Sequence, residues 1–175
     1  MLKYYNLDNI AEDFVMNKQD VYDYLDKSKI PYSKVEHQAV FTCEEADNLN
    51  LPYPESWTKN LFLKDGYGRY YLLTVQDSKV VNLKELQEEL QTKRLHFASE
   101  DNLMDIMGLI KGSVTLFGIL NDNGIRVNVL IDEAFKNKLI SCHPNENTAT
   151  VFLNTNDIFE IIHEHGNNVR YITIG

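Results

Sequence analysis

Apolar residues recur along this chain at two spacings, about every second residue and about every third or fourth, and the two alternate from end to end. Leu61 and Leu63 alternate with Asn60, Phe62 and Lys64, the pattern of a strand packed on both faces. Asp65-Gly66-Tyr67-Gly68 is a turn signal, and residues 69–75 read as the returning strand, so a hairpin headed by Lys59 is expected at the centre of the fold. Val21, Tyr22 and Leu25 predict an amphipathic helix over 18–28, closed by Pro31 and followed by an extended piece over 32–36. Thr42 with Glu45 three residues on is a capping box for a short helix over 43–48. Residues 79–81 read as a short strand. Asn82 is placed to cap a helix over 83–90, and Ser99 a second one carrying Leu103, Ile106 and Met107, stopped by Gly108.

Further on, 112–120 is an apolar stretch bounded by Gly112 and Gly118 that reads as strand, and glycine in a strand marks close approach of a ligand or of another backbone. Asn121-Asp122-Asn123-Gly124 predicts a hairpin turn with a return strand over 125–131, then a short helix over 132–138. Residues 148–153 are strand-like. Thr155-Asn156-Asp157 reads as the cap of a last helix that stops near Gly166, and 169–174 closes the sheet. Interleaved strands and helices with antiparallel hairpins give an α/β fold, a mixed, curved β-sheet with helices packed on it. Residues 1–17 carry a loosely helical apolar set and are expected to be an extension; 18–175 form the domain.

At 175 residues and 43% hydrophobic, the chain has enough material for one domain with a sizeable core. No apolar run reaches the length of a membrane span, the start lacks a signal-peptide core, and Cys43 and Cys142 form no CxxC pair; a cytoplasmic, reducing setting is expected. A net charge of −9 argues against a nonspecific coat on nucleic acid, yet leaves room for docking at one end through a local patch. Lys59, Lys64 and Arg69 lie along the hairpin and Lys93-Arg94 follow later, although such clusters are ordinarily solvated faces.

Candidate chemistry is sparse. The chain has no P-loop, dinucleotide fingerprint or nucleophile elbow. His163-Glu164-His165 falls at a helix end, where residues two apart diverge, so no metal site is expected there and no cofactor is implied. Lys59, beside Trp57 at the head of an apolar strand, is either a snorkelling edge residue or a cation aimed at an anionic ligand. His143, fixed in its loop by Pro144, has a structural role as its default.

Five blocks then occur in order: 37–42 (HQAVFT), 59–63 (KNLFL), 93–99 (KRLHFAS), 112–118 (GSVTLFG), and His143-Pro144 through Asn147-Thr148-Ala149. Together they resemble the YbaK/ProX family, the free-standing relatives of the prolyl-tRNA synthetase editing domain, over nearly the whole chain. The likeness is nearest to the ProX branch and implies a hydrolase that removes alanine mischarged on proline tRNA. Alternatives are a cysteinyl-tRNA deacylase and a non-catalytic sensor of charged tRNA or amino acid. The resemblance implies Lys59 and His143 as the catalytic pair, Lys59 at the phosphate backbone near the terminal adenosine and His143 lining the aminoacyl pocket. It implies Thr42, Asn60, Gly112, Ser113, Thr115, Phe117, Gly118 and Asn147 as substrate-binding residues, and Lys93 and Arg94 as contacts to tRNA. The partners implied are the tRNA acceptor end and, as a further candidate, prolyl-tRNA synthetase. One departure stands out: the family commonly has proline before the Phe-Gly and this chain has Leu116, so a looser loop is expected there.

Overall fold

The computed structural model describes residues 14–175, and residues 1–13 of the expected extension lie outside the described residues. The strands divide between two sheets. In the larger, the order is β4 (His96–Phe97), β2 (Thr58–Lys64), β3 (Tyr70–Gln76), β5 (Val127–Asp132), β8 (Val169–Ile172). The β2–β3 hairpin is antiparallel with Lys59 opposite Val75, whereas β5 runs parallel to both β3 and β8, so the sheet is mixed. The smaller sheet has β7 (Ala149–Asn154) between β1 (Tyr32–Glu36) and β6 (Leu139–Cys142), all antiparallel.

The main core lies on the face of the large sheet that carries Phe62, Leu72 and Val129. It takes in Ile140, Val151 and Leu153 of the small sheet and the buried faces of α1 (Lys18–Lys27), α4 (Glu100–Met107) and α5 (Thr155–His165). The opposite face, with Leu63, Leu73 and Val75, is covered by Leu86 of α3 (Leu83–Glu89). Being covered on both sides, β3 is buried from Tyr71 to Val75, as its unbroken apolar run requires.

The capping signals at Thr42, Asn82 and Ser99 hold: each accepts a backbone amide at the start of α2 (Cys43–Asp47), α3 and α4, and Gly108 and Gly166 end α4 and α5 in left-handed conformation. Asn17 does the same for α1, although no pattern in the sequence marked it. The cap of α5 is Asn154, one residue before the expected trio.

Four expectations fail. Residues 79–81 form no strand: Lys79 closes a turn onto Gln76 and Val80 is exposed. Residues 112–120 are not a strand either. Thr115 caps a 3-10 helix over Leu116–Asn121, whose Leu116, Phe117 and Ile119 fill the core. A short apolar run reads alike as buried strand or buried turn, and packing decided for the turn. Consequently Asn121–Gly124 joins no hairpin; the Asp122 carboxylate accepts the amides of Arg126 and Val127 and launches β5 into parallel pairing. Leu116 in place of proline leaves no loose loop, because its side chain is buried.

Residues 15–17 are tied to the packed body. Met16 donates its amide to Asn121 and accepts from Asn145, and Val15 sits so close to Gly108 that a Cβ there would lie 2.5 Å from it.

Candidate active site

The two sheets meet at the head of β2, where the Thr58 hydroxyl donates to the Ser141 carbonyl at 2.9 Å. Beside this junction opens a cleft of about 320 Å³. Its polar side is made by His37, Thr58, Lys59, Asp77, His143 and Thr150; its apolar side by Val40, Phe41, Leu49, Leu51 and Trp57. A tight 3-10 turn at Pro54–Ser56 brings the chain into β2, and the Trp57 indole is pinned by donation to the Pro52 carbonyl.

Lys59 is half-buried and its ammonium donates to the carbonyl of Lys79. That carbonyl is itself held, because the Lys79 ammonium pairs with buried Asp132 at 2.7 Å and donates to the Ile174 carbonyl. Lys59 is therefore a restrained cation on the cleft wall.

The His143 ring donates from Nδ1 to the Ala149 carbonyl at 3.0 Å, which leaves Nε2 as an acceptor. Burial, with some help from the neighbouring His37, lowers its pKa below the ordinary 6.5 against the opposing pull of the Ala149 bond, so the ring is neutral at neutral pH. The His37 ring centroid stands 6.4 Å away; its Nδ1 donates to the Gln38 carbonyl and its Nε2 is hydrogen-bonded to the Thr150 hydroxyl at 3.0 Å. An unfolded chain takes up a proton near pH 6.5 while the folded His143 resists, so stability is expected to fall as pH drops through and below that value. Acid melting curves in which His143→Ala loses stability less steeply than wild type check this.

Of the residues implied by the sequence, Thr42, Lys59, Asn60, Gly112 and His143 line the cleft. Thr42 also accepts the Glu45 amide as the cap of α2. Asn60 is a clamp: its amide nitrogen donates to the Val114 carbonyl and its oxygen accepts from Thr74, which ties β2 to the loop before the 3-10 helix. Gly112 has φ of 89° and open space around it, so any larger residue there is opposed by backbone strain and not by crowding.

The remaining residues sit elsewhere. Ser113, Thr115, Phe117 and Gly118 are buried behind the wall. Thr115 acts on the site through the 2.6 Å bond from its hydroxyl to the His143 carbonyl, and Gly118 is a packing glycine, with room for no Cβ against Leu109 and Met107. Asn147 holds the 37–41 loop by donating to the Val40 carbonyl. Lys93 and Arg94 are exposed at the hairpin tip, where the Gly66 amide donates to the Lys93 carbonyl, roughly 20 Å along β2 from Lys59 at about 3.3 Å per residue. The local patch of Lys59 with Lys93 and Arg94 does not form. His37 and Asp77 were missed: His37 stands in the first sequence block, and Asp77 follows a strand end with no pattern to mark it.

Comparison with known proteins fits this geometry. A profile of the aminoacyl-tRNA editing domain matches residues 37–161, most of the chain. Prolyl-tRNA editing protein ProX of Acetoanaerobium sticklandii is 38% identical over 159 residues, spanning 90% of this chain and 97% of that protein. Prolyl-tRNA synthetase associated domain-containing protein 1 of Bos taurus is 31% identical over 140 residues, 77% of this chain and 81% of the relative. Among solved structures, a candidate trans-editing enzyme for prolyl tRNA synthetase superposes with a TM-score of 0.69, covering 93% of this chain and all of that one; at 17% identity this is likeness of fold. With the profile spanning the β2 lysine, the glycine loop and the histidine wall, the chain belongs to the aminoacyl-tRNA editing domain family.

Proposed function

We propose that this chain removes alanine from mischarged proline tRNA by hydrolysing the aminoacyl ester. That it is an aminoacyl-tRNA deacylase follows from family membership; the amino acid, the tRNA and the residue roles are the proposal. A single observation carries it: a restrained cation, Lys59, and a neutral imidazole, His143, face the same small cleft. A volume of about 320 Å³ is at the small end of ligand pockets, which suits a small aminoacyl group with part of the terminal adenosine.

An aminoacyl ester is already activated, so its hydrolysis needs water and ester held in line more than it needs a strong protein base. Water adds to the ester carbonyl carbon; the bond to the ribose oxygen breaks; that oxygen leaves as a hydroxyl after taking the proton released by water, and the adjacent ribose hydroxyl assists the transfer. The Lys59 ammonium holds the phosphate and ribose end. Nε2 of His143 is an acceptor for the attacking water or a wall beside the side chain. Lys93 and Arg94, at the far end of the hairpin, would touch RNA backbone away from the terminal nucleotide. A cytoplasmic setting, with the synthetase as a candidate partner, suits this activity; none of the described helices is long and apolar enough to cross a membrane.

Trimming His143 to alanine is expected to widen the cleft and shift the rate ratio toward esters bulkier than alanyl by about tenfold, since one small apolar difference is worth about 1–3 kcal/mol. An unchanged ratio would take His143 out of the selective wall. Metal is expected to be dispensable. Among the described residues no three His, Cys, Asp or Glu are grouped to hold an ion, and His165 is engaged with Asn167. Deacylation after chelation should match the untreated rate; activity lost to chelator and restored by zinc would contradict this.

A further inference from the structure

We propose that Asp77 receives the α-ammonium of the aminoacyl group, an assignment that rests on the deacylase reading and deepens it. An aminoacyl-tRNA end is doubly charged, with phosphate on one side of the scissile ester and a cationic amine on the other. The cleft offers one cation, Lys59, and two carboxylates, Asp77 and Asp47. Asp47 is exposed at the end of α2, where water and salt screen it. Asp77 is half-buried.

The hairpin register sets its place. The Asp77 amide donates to the Trp57 carbonyl at 3.1 Å, which extends the ladder one pair beyond Thr58 and Gln76. Asp77 therefore shares a sheet face with Val75 and hence with Lys59, as its diagonal neighbour, at a typical spacing of about 7–8 Å between Cα atoms. The two do not pair: the Lys59 ammonium is turned to the Lys79 carbonyl. No lysine, arginine or histidine among the described residues lies within 4.0 Å of the Asp77 carboxylate, and no side-chain hydrogen bond occupies it. A half-buried carboxylate in a cleft without a cationic partner is complementary to a ligand ammonium, and such a charge-assisted bond would fix which way the ester carbonyl points.

The test compares alanyl-tRNA with lactyl-tRNA, whose hydroxyl replaces the amine at nearly equal size, on wild type, Asp77→Asn, Asp77→Ser, Asp47→Asn and Lys59→Ala. Relative to the uncatalysed hydrolysis of each ester, wild type is expected to favour the alanyl ester in kcat/KM by at least about tenfold, the usual scale of one charge-assisted bond. Both Asp77 variants should reduce that preference to the ratio of the uncatalysed hydrolysis rates, with the lactyl rate unchanged, while Asp47→Asn keeps it. Equal loss on both esters would mean that Asp77 acts through Lys59 or the fold, and would overturn the assignment. So would a preference beyond the uncatalysed ratio that survives in both Asp77 variants or disappears in Asp47→Asn. A wild type that hydrolyses neither ester, or a Lys59→Ala variant as active as wild type on both, would instead overturn the deacylase reading or its Lys59 step, and the assignment with it.

Discussion

Replacing Lys59 with alanine is expected to lower deacylation by about two to three orders of magnitude, the usual cost of deleting one preorganised charge at a reacting centre. The fold should survive. Lys59 lies half-buried at the head of β2, while the pairing of β2 with β3 is made by backbone and by Leu61, Phe62 and Leu63. The ammonium's protein partner, the Lys79 carbonyl, can turn to water once the lysine is gone. Lys59→Arg should recover only part of the rate, because the planar guanidinium is longer and cannot reproduce a compact ammonium at the same carbonyl. Single-turnover hydrolysis with a matched melting curve checks both halves; wild-type turnover by the alanine variant would remove Lys59 from the reaction.

The second large effect concerns stability and lies at the other end of the same hairpin. The buried Asp65 carboxylate accepts the amides of Tyr67 and Arg69, the Arg69 Nε, the Tyr71 hydroxyl and the Thr92 hydroxyl. Burial alone would raise its pKa, but the Thr92 and Arg69 bonds, with that from Tyr67, outweigh it and hold the carboxyl far below the usual range. Asp65→Ala leaves those donors facing a buried gap and should cost about 3 kcal/mol. For a chain of this size that is a fall of roughly 10 °C in Tm. The sign with pH is fixed. A carboxyl depressed in the folded state contributes fully above the unfolded value of about 3.9, and that contribution is lost as pH falls through the folded value. Wild type should thus lose stability in acid more steeply than Asp65→Asn. Equal acid slopes would show that the carboxylate does not carry the turn.

Much of this was legible in the sequence, for reasons that differ by residue. Helix α1 was legible from the spacing of Val21, Tyr22 and Leu25, and α2 to α4 because a cap is local: Asn82 and Ser99 each bond an amide two or three residues away, and Gly108 must adopt a conformation that few other residues tolerate. The hairpin was legible from alternation and turn chemistry. The 112–120 stretch was not, since its burial comes from α4 and α5 and from Leu109, partners that no local period records. The same limit holds at the site. The sequence blocks pointed to Lys59 and His143, which do face one cleft. They could not show that Thr115 and Asn147 serve by holding the His143 carbonyl and the Val40 carbonyl, because those bonds span 28 and 107 residues. Asp77 left no trace at all; only the register that sets it beside Lys59 reveals it.

Discrimination by amino acid on proline tRNA is read directly from single-turnover hydrolysis by wild type of alanyl-, cysteinyl- and prolyl-esters on the same proline tRNA. The cleft predicts rapid loss of alanine with prolyl-tRNA spared by at least about tenfold, the range one small structural difference supplies. Equal rates on all three would contradict the sieve, a preference for cysteinyl would reassign its target, and no hydrolysis above background would leave a sensor in place of an enzyme.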